Sequence, residues 1–382
     1  MKLSKRSQVD PFIVMDVMEA ARSAEAEGRR IVHMEVGQPS TAAPNKARKA
    51  VAKELKANPM GYTVALGLPA LREGIARLYM EWYQVSLDPS RVVITSGSSA
   101  GFLLAFTALF DSGAKVGLAA PGYPSYRQIL KALSLQPIDI PTQDITGHQL
   151  CAQDVAKYSL DGLLVASPAN PTGTMLDKLT LKALSDHAEQ KDISFISDEI
   201  YHGIEYDKKA ITALHVTNRA YVINSFSKFF SMTGWRIGWL VVPADHVRSV
   251  ERLAQNMFIC PPHISQIAAL AALECRVEAA ENLLVYAENR RLMLDGLPLA
   301  GFTDIAPPDG AFYIYADISK FSTDSRAFTS EVLAKAGVAI TPGLDFDPIR
   351  GNQTVRFSYA QSTPEIIEGI CRLKAFMKAY YP

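Results

Sequence analysis

From residue 44 to about residue 275, short runs of strand-forming residues alternate with longer runs of helical pattern. This alternation is typical of a mainly parallel β-sheet with helices on both faces, because parallel neighbours need a crossover connection between them. The sequence predicts strands at 91–96, 115–120, 162–167, 193–197, 221–225 and 237–242, and its clearest helices at 68–84 and 178–190. The expected fold class is therefore α/β, with a mainly parallel mixed sheet flanked by helices.

A second pattern follows a long helical stretch at residues 277–294. Strand-like and helical runs then alternate as in a small α+β unit, at 311–316, 325–336, 354–359 and 364–377. We therefore expect a large domain at residues 44–285 and a smaller domain that combines residues 1–43 with residues 286–382. The two domains are expected to share the long helix.

Composition and the N-terminal segment bear on where the protein works. The formal net charge is zero, so the basic surface of a nucleic-acid-binding protein is not indicated. Residues 1–11 lack the apolar segment of a secretory signal, and an amphipathic helix is expected to open at Asp10-Pro11 and to end at Gly28. The cysteine spacing indicates neither a zinc site nor a disulfide framework; the cysteines are Cys151, Cys260, Cys275 and Cys371. A cytoplasmic protein that binds small molecules, without a metal, a membrane or a nucleic acid, is expected.

In open α/β sheets, ligands bind at the carboxyl ends of the strands, and the predicted strand at 91–96 ends in the first candidate site. There, Thr-Ser-Gly-Ser-Ser-Ala-Gly passes from strand to helix, so that free backbone N–H groups at Ser98 and Ser99 favour a phosphate. The same residues match the Gly-x-Ser-x-Gly pattern of serine hydrolases, with Ser99 as the nucleophile. The histidines available to such a hydrolase are His202, His215 and His263.

Three further strand ends carry polar or aromatic side chains. Tyr123 stands next to prolines, where its ring either lies against a flat heterocycle or packs in a turn. Asn170, in Ser-Pro-Ala-Asn-Pro-Thr-Gly, either directs a hydrogen bond to a ligand or belongs to an ordinary loop. Asp198 ends an apolar strand, and Tyr201 follows it by about one helical turn. A buried Asp198 needs a cationic partner, unless it caps a helix.

The run Ser-Phe-Ser-Lys at residues 225–228 is followed, eight positions after its lysine, by Arg236. It places Ser225, Ser227, Lys228 and the arginine within reach of one phosphate ester. A lysine in this setting serves phosphate recognition, general base catalysis or Schiff-base formation with a carbonyl cofactor. The lysine alone leaves these three chemistries open.

Two pairs of motifs are highly specific: Ser-x-Ser-Lys with the downstream Gly-Trp-Arg, and Asn-Pro-Thr-Gly followed by Ser-Asp-Glu-Ile-Tyr. On these motifs the chain resembles fold-type I enzymes that depend on pyridoxal 5′-phosphate (PLP), and in particular the class I/II aminotransferase family, over nearly its whole length. The resemblance implies that Lys228 forms a Schiff base with PLP and that Asp198 keeps the ring nitrogen protonated. It also implies that Asn170 and Tyr201 bind the phenolic oxygen of the ring, and that Tyr123 stacks on its face.

The resemblance also implies the ligands of the phosphate and of the substrate. The phosphate would be held by Ser98, Ser99, Ser225, Ser227 and Arg236. Tyr62, in Gly-Tyr-Thr, matches the tyrosine that reaches the phosphate of the neighbouring subunit, which implies a homodimer with shared active sites. The substrate α-carboxylate would be bound by Arg356, with help from the Gly37 backbone and from Asn170.

The implied activity is the transfer of an amino group from an L-amino acid to a 2-oxo acid in two half-reactions. A β-eliminating C–S lyase on the same fold is the main alternative, because the reaction type depends on pocket geometry. A serine hydrolase that uses Ser99, and the PLP-binding sensor half of a transcription regulator, are remote alternatives.

The chain departs from the family pattern in the loop at residues 342–347, and one further feature bears on the substrate. Asp347 stands where many relatives have glycine, and no second basic residue for a distal carboxylate can be placed in the sequence. Phe12 and Ile13 are expected to line the side-chain pocket. A neutral or aromatic amino acid is therefore the expected donor.

Overall fold

The computed structural model describes residues 1–382, apart from the side chain of residue 145. Its strands are, in chain order, β1 (Val32–His33), β2 (Val92–Thr95), β3 (Lys115–Ala120), β4 (Gln136–Pro141), β5 (Gly162–Ala166), β6 (Ser194–Asp198), β7 (Tyr221–Ser225), β8 (Gly238–Val241), β9 (Tyr313–Asp317), β10 (Val338–Ala339), β11 (Thr341–Pro342) and β12 (Thr354–Ser358). Its α-helices are α1 (Ile13–Ala26), α2 (Asn45–Ala57), α3 (Pro69–Tyr83), α4 (Ser98–Leu109), α5 (Pro124–Ala132), α6 (Ala152–Val155), α7 (Lys178–Gln190), α8 (Val247–Phe258), α9 (His263–Ala272), α10 (Arg276–Gly296), α11 (Ser325–Ala336) and α12 (Thr363–Tyr380).

Seven strands form the larger sheet within the described residues, in the order β2-β8-β7-β6-β5-β3-β4. Strand β8 runs antiparallel to both of its neighbours, and the other pairs are parallel. The predicted α/β fold class with a mainly parallel mixed sheet is therefore confirmed. The carboxyl ends of β5, β6 and β7 meet at one edge, where a ligand site is expected.

The central strands are apolar because both faces of the sheet are covered. Consecutive residues of β5 alternate between two cores: Leu163 and Val165 belong to one, and Leu164 to the other. Side chains on a strand point to opposite faces in turn, so a strand buried on both sides needs an unbroken apolar run. This requirement explains why these runs could be recognised as strands from the sequence.

The first helix begins later than predicted, at Ile13 instead of Asp10-Pro11. Asp10 does not cap it, because its carboxylate accepts hydrogen bonds from Lys131 (2.6 Å) and Gln128 (3.1 Å). The helix is capped by a residue far away in the sequence instead. The backbone N–H groups of Ile13 and Val14 donate to the carboxylate of Asp345, at 3.1 and 3.2 Å.

The remaining strands form two smaller sheets in the part of the chain that the structure describes. Strands β11, β12 and β9 make an antiparallel sheet, and the N-terminal β1 pairs in parallel with β10. The N-terminal segment thus packs with elements from the last third of the chain. Helix α10 spans residues 285 and 286, where the sequence placed the domain boundary.

Among the described residues, every helix is too short or too polar to cross a membrane.

Candidate active site

A cavity of about 230 Å³ lies at the carboxyl ends of the central strands. It brings together residues that are far apart in the sequence. The predicted site residues that line it are Gly37, Ser98, Ser99, Tyr123, Asn170, Asp198, Tyr201, Ser227, Lys228, Arg236 and Arg356.

Two predicted residues lie elsewhere. The Ser225 hydroxyl is buried behind the cavity wall, 2.7 Å from Ser227 Oγ and 3.1 Å from the carbonyl oxygen of Ile237. It therefore supports Ser227 from behind. Tyr62 lies on the surface of the single chain, with 83% of its area exposed.

Lys228 follows the end of β7 and borders the cavity. Its Nζ donates a hydrogen bond to the carbonyl oxygen of Gly37 at 2.6 Å. Burial of the amine, and next the positive charges of Arg356 and Arg236, lower the pKa of Lys228 to about 8. A sizeable fraction of this amine is neutral near physiological pH, so it can act as a nucleophile or a base.

Asp198 is the last residue of β6, and 4% of its area is exposed. One carboxylate oxygen accepts a hydrogen bond from the Tyr126 hydroxyl, and the other accepts one from the backbone N–H of Ile200 at 3.0 Å. Burial raises the pKa of Asp198 to about 6, against the opposing effect of the Tyr126 hydrogen bond. A buried carboxylate with a raised pKa is suited to holding a cationic N–H group of a ligand.

An anion-binding cradle is formed by the start of α4 and the Arg236 side chain. Gly97 has φ +78°, a conformation that favours glycine, and it leads directly into the first turn of α4 at Ser98. A Cβ atom at Gly97 would lie 2.5 Å from Nη2 of Arg236, so only glycine lets the guanidinium approach this turn. The free N–H groups of the helix terminus and the guanidinium together favour a phosphate.

Arg356 extends from β12 into the other end of the cavity, with 3% of its area exposed. One terminal nitrogen donates to Asn170 Oδ1 at 2.9 Å, and the other donates to the backbone carbonyl of Glu35. The guanidinium also lies 4.5 Å from the ring centroid of Tyr313 and 4.6 Å from that of Phe346. Its Nε is buried and has no hydrogen-bond partner among the described residues.

Sequence reasoning missed two tyrosines of the site. Tyr126 donates to Asp198, and the Tyr313 hydroxyl lies 2.6 Å from the Tyr201 hydroxyl. A Cβ atom at Gly37 would lie 1.7 Å from the Tyr313 hydroxyl, so this tyrosine also explains the glycine. Tyr126 follows Tyr123 by one turn at the start of α5, and this spacing was the signal that could have found it. No signal in the sequence pointed to Tyr313.

The remaining wall of the cavity is largely apolar. Phe12, Val14 and Met15 from the start of α1 line it, together with Val36. Of the two residues predicted for this region, Phe12 lines the cavity and Ile13 does not. The cause is helical geometry, because the cap by Asp345 orients this turn so that Val14 and Met15 border the cavity with Phe12.

Asp347, where the sequence departs from the family pattern, is buried. Its carboxylate accepts a hydrogen bond from Nε of Arg350 at 3.0 Å. The same carboxylate accepts one from the backbone N–H of Ile349 at 2.8 Å. Asp347 therefore stabilises its own loop.

The histidines that a serine hydrolase would use are engaged elsewhere. Nε2 of His202 lies 2.9 Å from the carbonyl oxygen of Ser167, and Nε2 of His215 lies 2.7 Å from that of Tyr83. Nδ1 of His263 lies 3.0 Å from the carbonyl oxygen of Gly61. These contacts leave no support for Ser99 as a nucleophile activated by histidine.

Comparison with known proteins agrees with this geometry. The family model described as aminotransferase class I and II matches residues 29–373. The valine–pyruvate aminotransferase of Mycobacterium tuberculosis is 47% identical to the chain, and the alignment covers 98% of each protein. The crystal structure of an aminotransferase from M. tuberculosis matches with a TM-score of 0.97 at 46% identity, over 99% of this chain and 100% of the other. A provisionally identified aminotransferase from Silicibacter pomeroyi matches with a TM-score of 0.95 at 66% identity, with the same coverage.

The charges around Lys228 predict that two substitutions shift the pKa of its amine in opposite directions. Arg356→Gln should raise the pKa of Lys228, because a nearby positive charge is removed, and Asp198→Asn should lower it, because a negative charge is removed. At pH 8, reductive methylation of Lys228 in the ligand-free protein should therefore be slower in the first variant and faster in the second. Peptide mass spectrometry gives the rate, and the surface lysines in the same digest are the internal control. Shifts of the same sign in both variants would contradict the assignment.

Proposed function

The chain belongs to the class I and II aminotransferase family, and from this premise we propose that it works with PLP attached to Lys228. It is an aminotransferase, which moves an amino group between an amino acid and a 2-oxo acid. One observation carries the cofactor proposal. The cavity combines a lysine amine of lowered pKa, a buried carboxylate at Asp198 and an anion-binding cradle at Ser98 and Arg236.

The residues present fit PLP group by group. The cradle at Ser98, Ser99, Ser227 and Arg236 matches the phosphate, with Ser225 behind Ser227. The buried Asp198 carboxylate matches a protonated ring nitrogen. Asn170 and Tyr201 would bind the phenolic oxygen, and Tyr123 would cover one face of the ring. PLP supplies an aldehyde that condenses with amines, and a pyridinium ring that takes up electron density when the substrate Cα loses its proton.

The chain itself supplies positioning and proton transfer. We assign Arg356 to the substrate α-carboxylate, beside Gly37 and Asn170, because its planar and always charged guanidinium fits a carboxylate bidentately. Lys228 is the base for the proton on the substrate Cα, since its lowered pKa keeps part of the amine neutral. Tyr201, whose hydroxyl lies 2.6 Å from that of Tyr313, would hold the phenolic oxygen of the cofactor in place.

We assign the donor to the neutral apolar amino acids. Phe12, Val14, Met15 and Val36 line the wall where the side chain would lie. A charged side chain would lose its hydration there without gaining a partner. The relative from M. tuberculosis that is 47% identical is a valine–pyruvate aminotransferase, which supports the same class.

We also propose a homodimer in which Tyr62 reaches the phosphate site of the partner subunit. Tyr62 is 83% exposed, and the nearby Ile259 is 53% exposed with φ +65°, a strained conformation for a β-branched residue. Two contacts join these segments: Thr63 N–H to Cys260 Sγ at 3.4 Å, and His263 Nδ1 to the Gly61 carbonyl at 3.0 Å. A second copy that covers this surface would account for an exposed tyrosine and a strained exposed isoleucine side by side.

Two further assignments are part of the proposal. Residues 1–43 and 286–382 form a smaller domain and residues 44–285 the large one, which is supported by the pairing of β1 with β10. The protein is cytoplasmic, which is supported by the free thiols of its cysteines.

A donor screen tests the activity and the donor class together. The PLP-loaded protein, given each of the common amino acids and a 2-oxo acid acceptor, should show at least about tenfold higher kcat/KM for valine than for aspartate, because the donor wall is apolar. Lys228→Ala is the control and should be inactive with every donor. A preference for aspartate would refute the donor class. Release of ammonia and a 2-oxo acid without an acceptor would instead indicate a lyase.

The carboxylate assignment predicts a selective loss. Arg356→Ala should reduce kcat/KM for amino acids by a factor equivalent to roughly 2–5 kcal/mol, because the α-carboxylate is left unpaired in a buried site. The slow reaction of the corresponding decarboxylated amine should change little. Arg356→Lys should recover only part of the loss, since a point charge does not reproduce the bidentate contact.

Arg290→Ala is the matched control for this experiment. Arg290 also lies over a tyrosine ring, 4.9 Å from the Tyr206 centroid, and donates to the Pro308 carbonyl at 2.8 Å, but it is outside the lining of the cavity that the structure describes. Its removal should affect amino acids and amines equally. Equal losses for both substrate types in Arg356→Ala would show that Arg356 is only structural.

The shared active site predicts complementation between two defective subunits. Tyr62→Ala and Lys228→Ala should each have low activity at limiting PLP. In a mixture reassembled at equal amounts, half of the dimers are mixed, and each mixed dimer has one site with both residues intact. About a quarter of the wild-type activity should therefore return. Mixed dimers confirmed by native mass spectrometry but without recovered activity would place Tyr62 in its own subunit's site, and full activity of Tyr62→Ala alone would place it outside any site.

A further inference from the structure

We propose that His202 is a positioning residue that holds the Asn170 loop and the Tyr201 turn at a fixed spacing. The inference rests on the proposed function, in which Asn170 and Tyr201 bind the phenolic oxygen of PLP. His202 does not line the cavity as far as the structure describes it, and it acts through these two neighbours. No step of the mechanism above uses it.

Both ring nitrogens of His202 are occupied, and their partners fix the tautomer. Nε2 lies 2.9 Å from the carbonyl oxygen of Ser167. A carbonyl oxygen can only accept, so Nε2 carries the proton. Nδ1 must then accept the hydrogen bond from the Tyr83 hydroxyl, which lies 2.6 Å away. The ring is a neutral bridge with one donor and one acceptor, and 1% of the residue is exposed.

This bridge spans the two strand ends just beyond the point where the backbone ladder stops. The pairing of β5 with β6 ends at Ala166 and Asp198, followed by one hydrogen bond from Ser167 N–H to the Asp198 carbonyl at 3.2 Å. The chain then diverges into the loop that carries Asn170 and the turn that carries Tyr201. The hydrogen bond from His202 to Ser167 replaces the missing ladder contact between these two segments.

Glu199 links the same turn to the segment at Thr212 and Ala213. Its Oε1 accepts hydrogen bonds from Ala213 N–H at 2.7 Å and from Thr212 Oγ1 at 3.1 Å. Its other oxygen lies 3.6 Å from His202 Nδ1. Burial raises the pKa of Glu199 to about 8 and lowers the pKa of His202 to about 3, so the two are not an ion pair at neutral pH. The neutral state of His202 agrees with the tautomer that its hydrogen bonds require.

A shift of either segment would reach both functional ends of the cavity. Asn170 Oδ1 accepts the 2.9 Å hydrogen bond from Arg356, and the Tyr201 hydroxyl lies 2.6 Å from that of Tyr313. Movement of the Asn170 loop would therefore disturb the substrate carboxylate site as well as the cofactor contact.

The test compares four variants of the full-length protein. His202→Gln places an amide N–H where it can still reach Ser167, whereas the shorter His202→Asn cannot reach it and His202→Leu offers no donor. His215→Gln is the matched control, because His215 also contacts Tyr83, through its carbonyl at 2.7 Å, but does not bridge the two segments.

The first measurement is PLP affinity of the cofactor-free protein by fluorescence titration. His202→Leu and His202→Asn should weaken PLP binding about tenfold, because the Ser167 carbonyl loses its partner and the two cofactor contacts move apart. His202→Gln should stay within about threefold of wild type, and His215→Gln should match wild type.

The second measurement is the pH titration of the visible absorption of the PLP-loaded protein. In His202→Leu and His202→Asn, the midpoint should move to higher pH, since the phenolic oxygen loses hydrogen bonds that stabilise its anionic form. His202→Gln should keep the midpoint of the wild-type protein. A purely structural histidine would change thermal stability without moving this midpoint.

Several outcomes would overturn the inference. If a folded His202→Leu protein has unchanged PLP affinity and an unchanged midpoint, His202 contributes only to packing. If His202→Leu does not fold, equal values in His202→Asn and His202→Gln would lead to the same conclusion. Failure of the wild-type protein to bind PLP or to transfer amino groups would instead refute the proposed function, so the two failures are distinguishable.

Discussion

The concentration of positive charge around one cavity is the constraint on which the site depends. Lys228, Arg236 and Arg356 all border it, and Asp198 is the buried carboxylate that faces them. Arg356 is buried, Lys228 is half-buried and Arg236 is exposed, so the repulsion is least screened by solvent around Arg356 and Lys228, and these two need compensating partners most. The aromatic rings and backbone carbonyls around Lys228 and Arg356 supply part of this stabilisation. Under the proposed function, the phosphate of the cofactor and the α-carboxylate of the substrate would supply the rest.

The sequence predicts those features of the fold that depend on local pattern. Unbroken apolar runs predict the central strands, since a strand buried on both faces has no other pattern. The predicted start of α1 was wrong, because the true start depends on a contact with a residue that is distant in the sequence. Its first N–H groups are capped by Asp345, 332 residues away from Ile13, while the local candidate Asp10 binds α5 instead. Strands that are far apart in the sequence and pair with each other, as β1 and β10 do, give no local signal of that pairing.

The same division holds for the candidate site. Residues in recognisable motifs, such as Lys228 and Asp198, could be named from the sequence, and the cavity brings them together. Tyr126 could not be assigned to Asp198, because the two residues are 72 positions apart and the motif that contains Asp198 does not include the tyrosine. Tyr313 lies 112 positions from Tyr201. Side chains that support a motif from another element become visible only in three dimensions.

Because of the Asp345 cap on α1, the apolar wall of the cavity and its charged residues are held in place independently. Most residues of the apolar wall come from one short turn, Phe12 to Met15, with Val36 beside them, whereas the charged residues come from the ends of the central sheet and from β12. The turn is fixed by Asp345 through backbone N–H groups, so its side chains can vary without loss of the anchor. Under the proposed function, evolution could therefore change the accepted amino acid through substitutions in this turn, while the charged residues of the site stay the same.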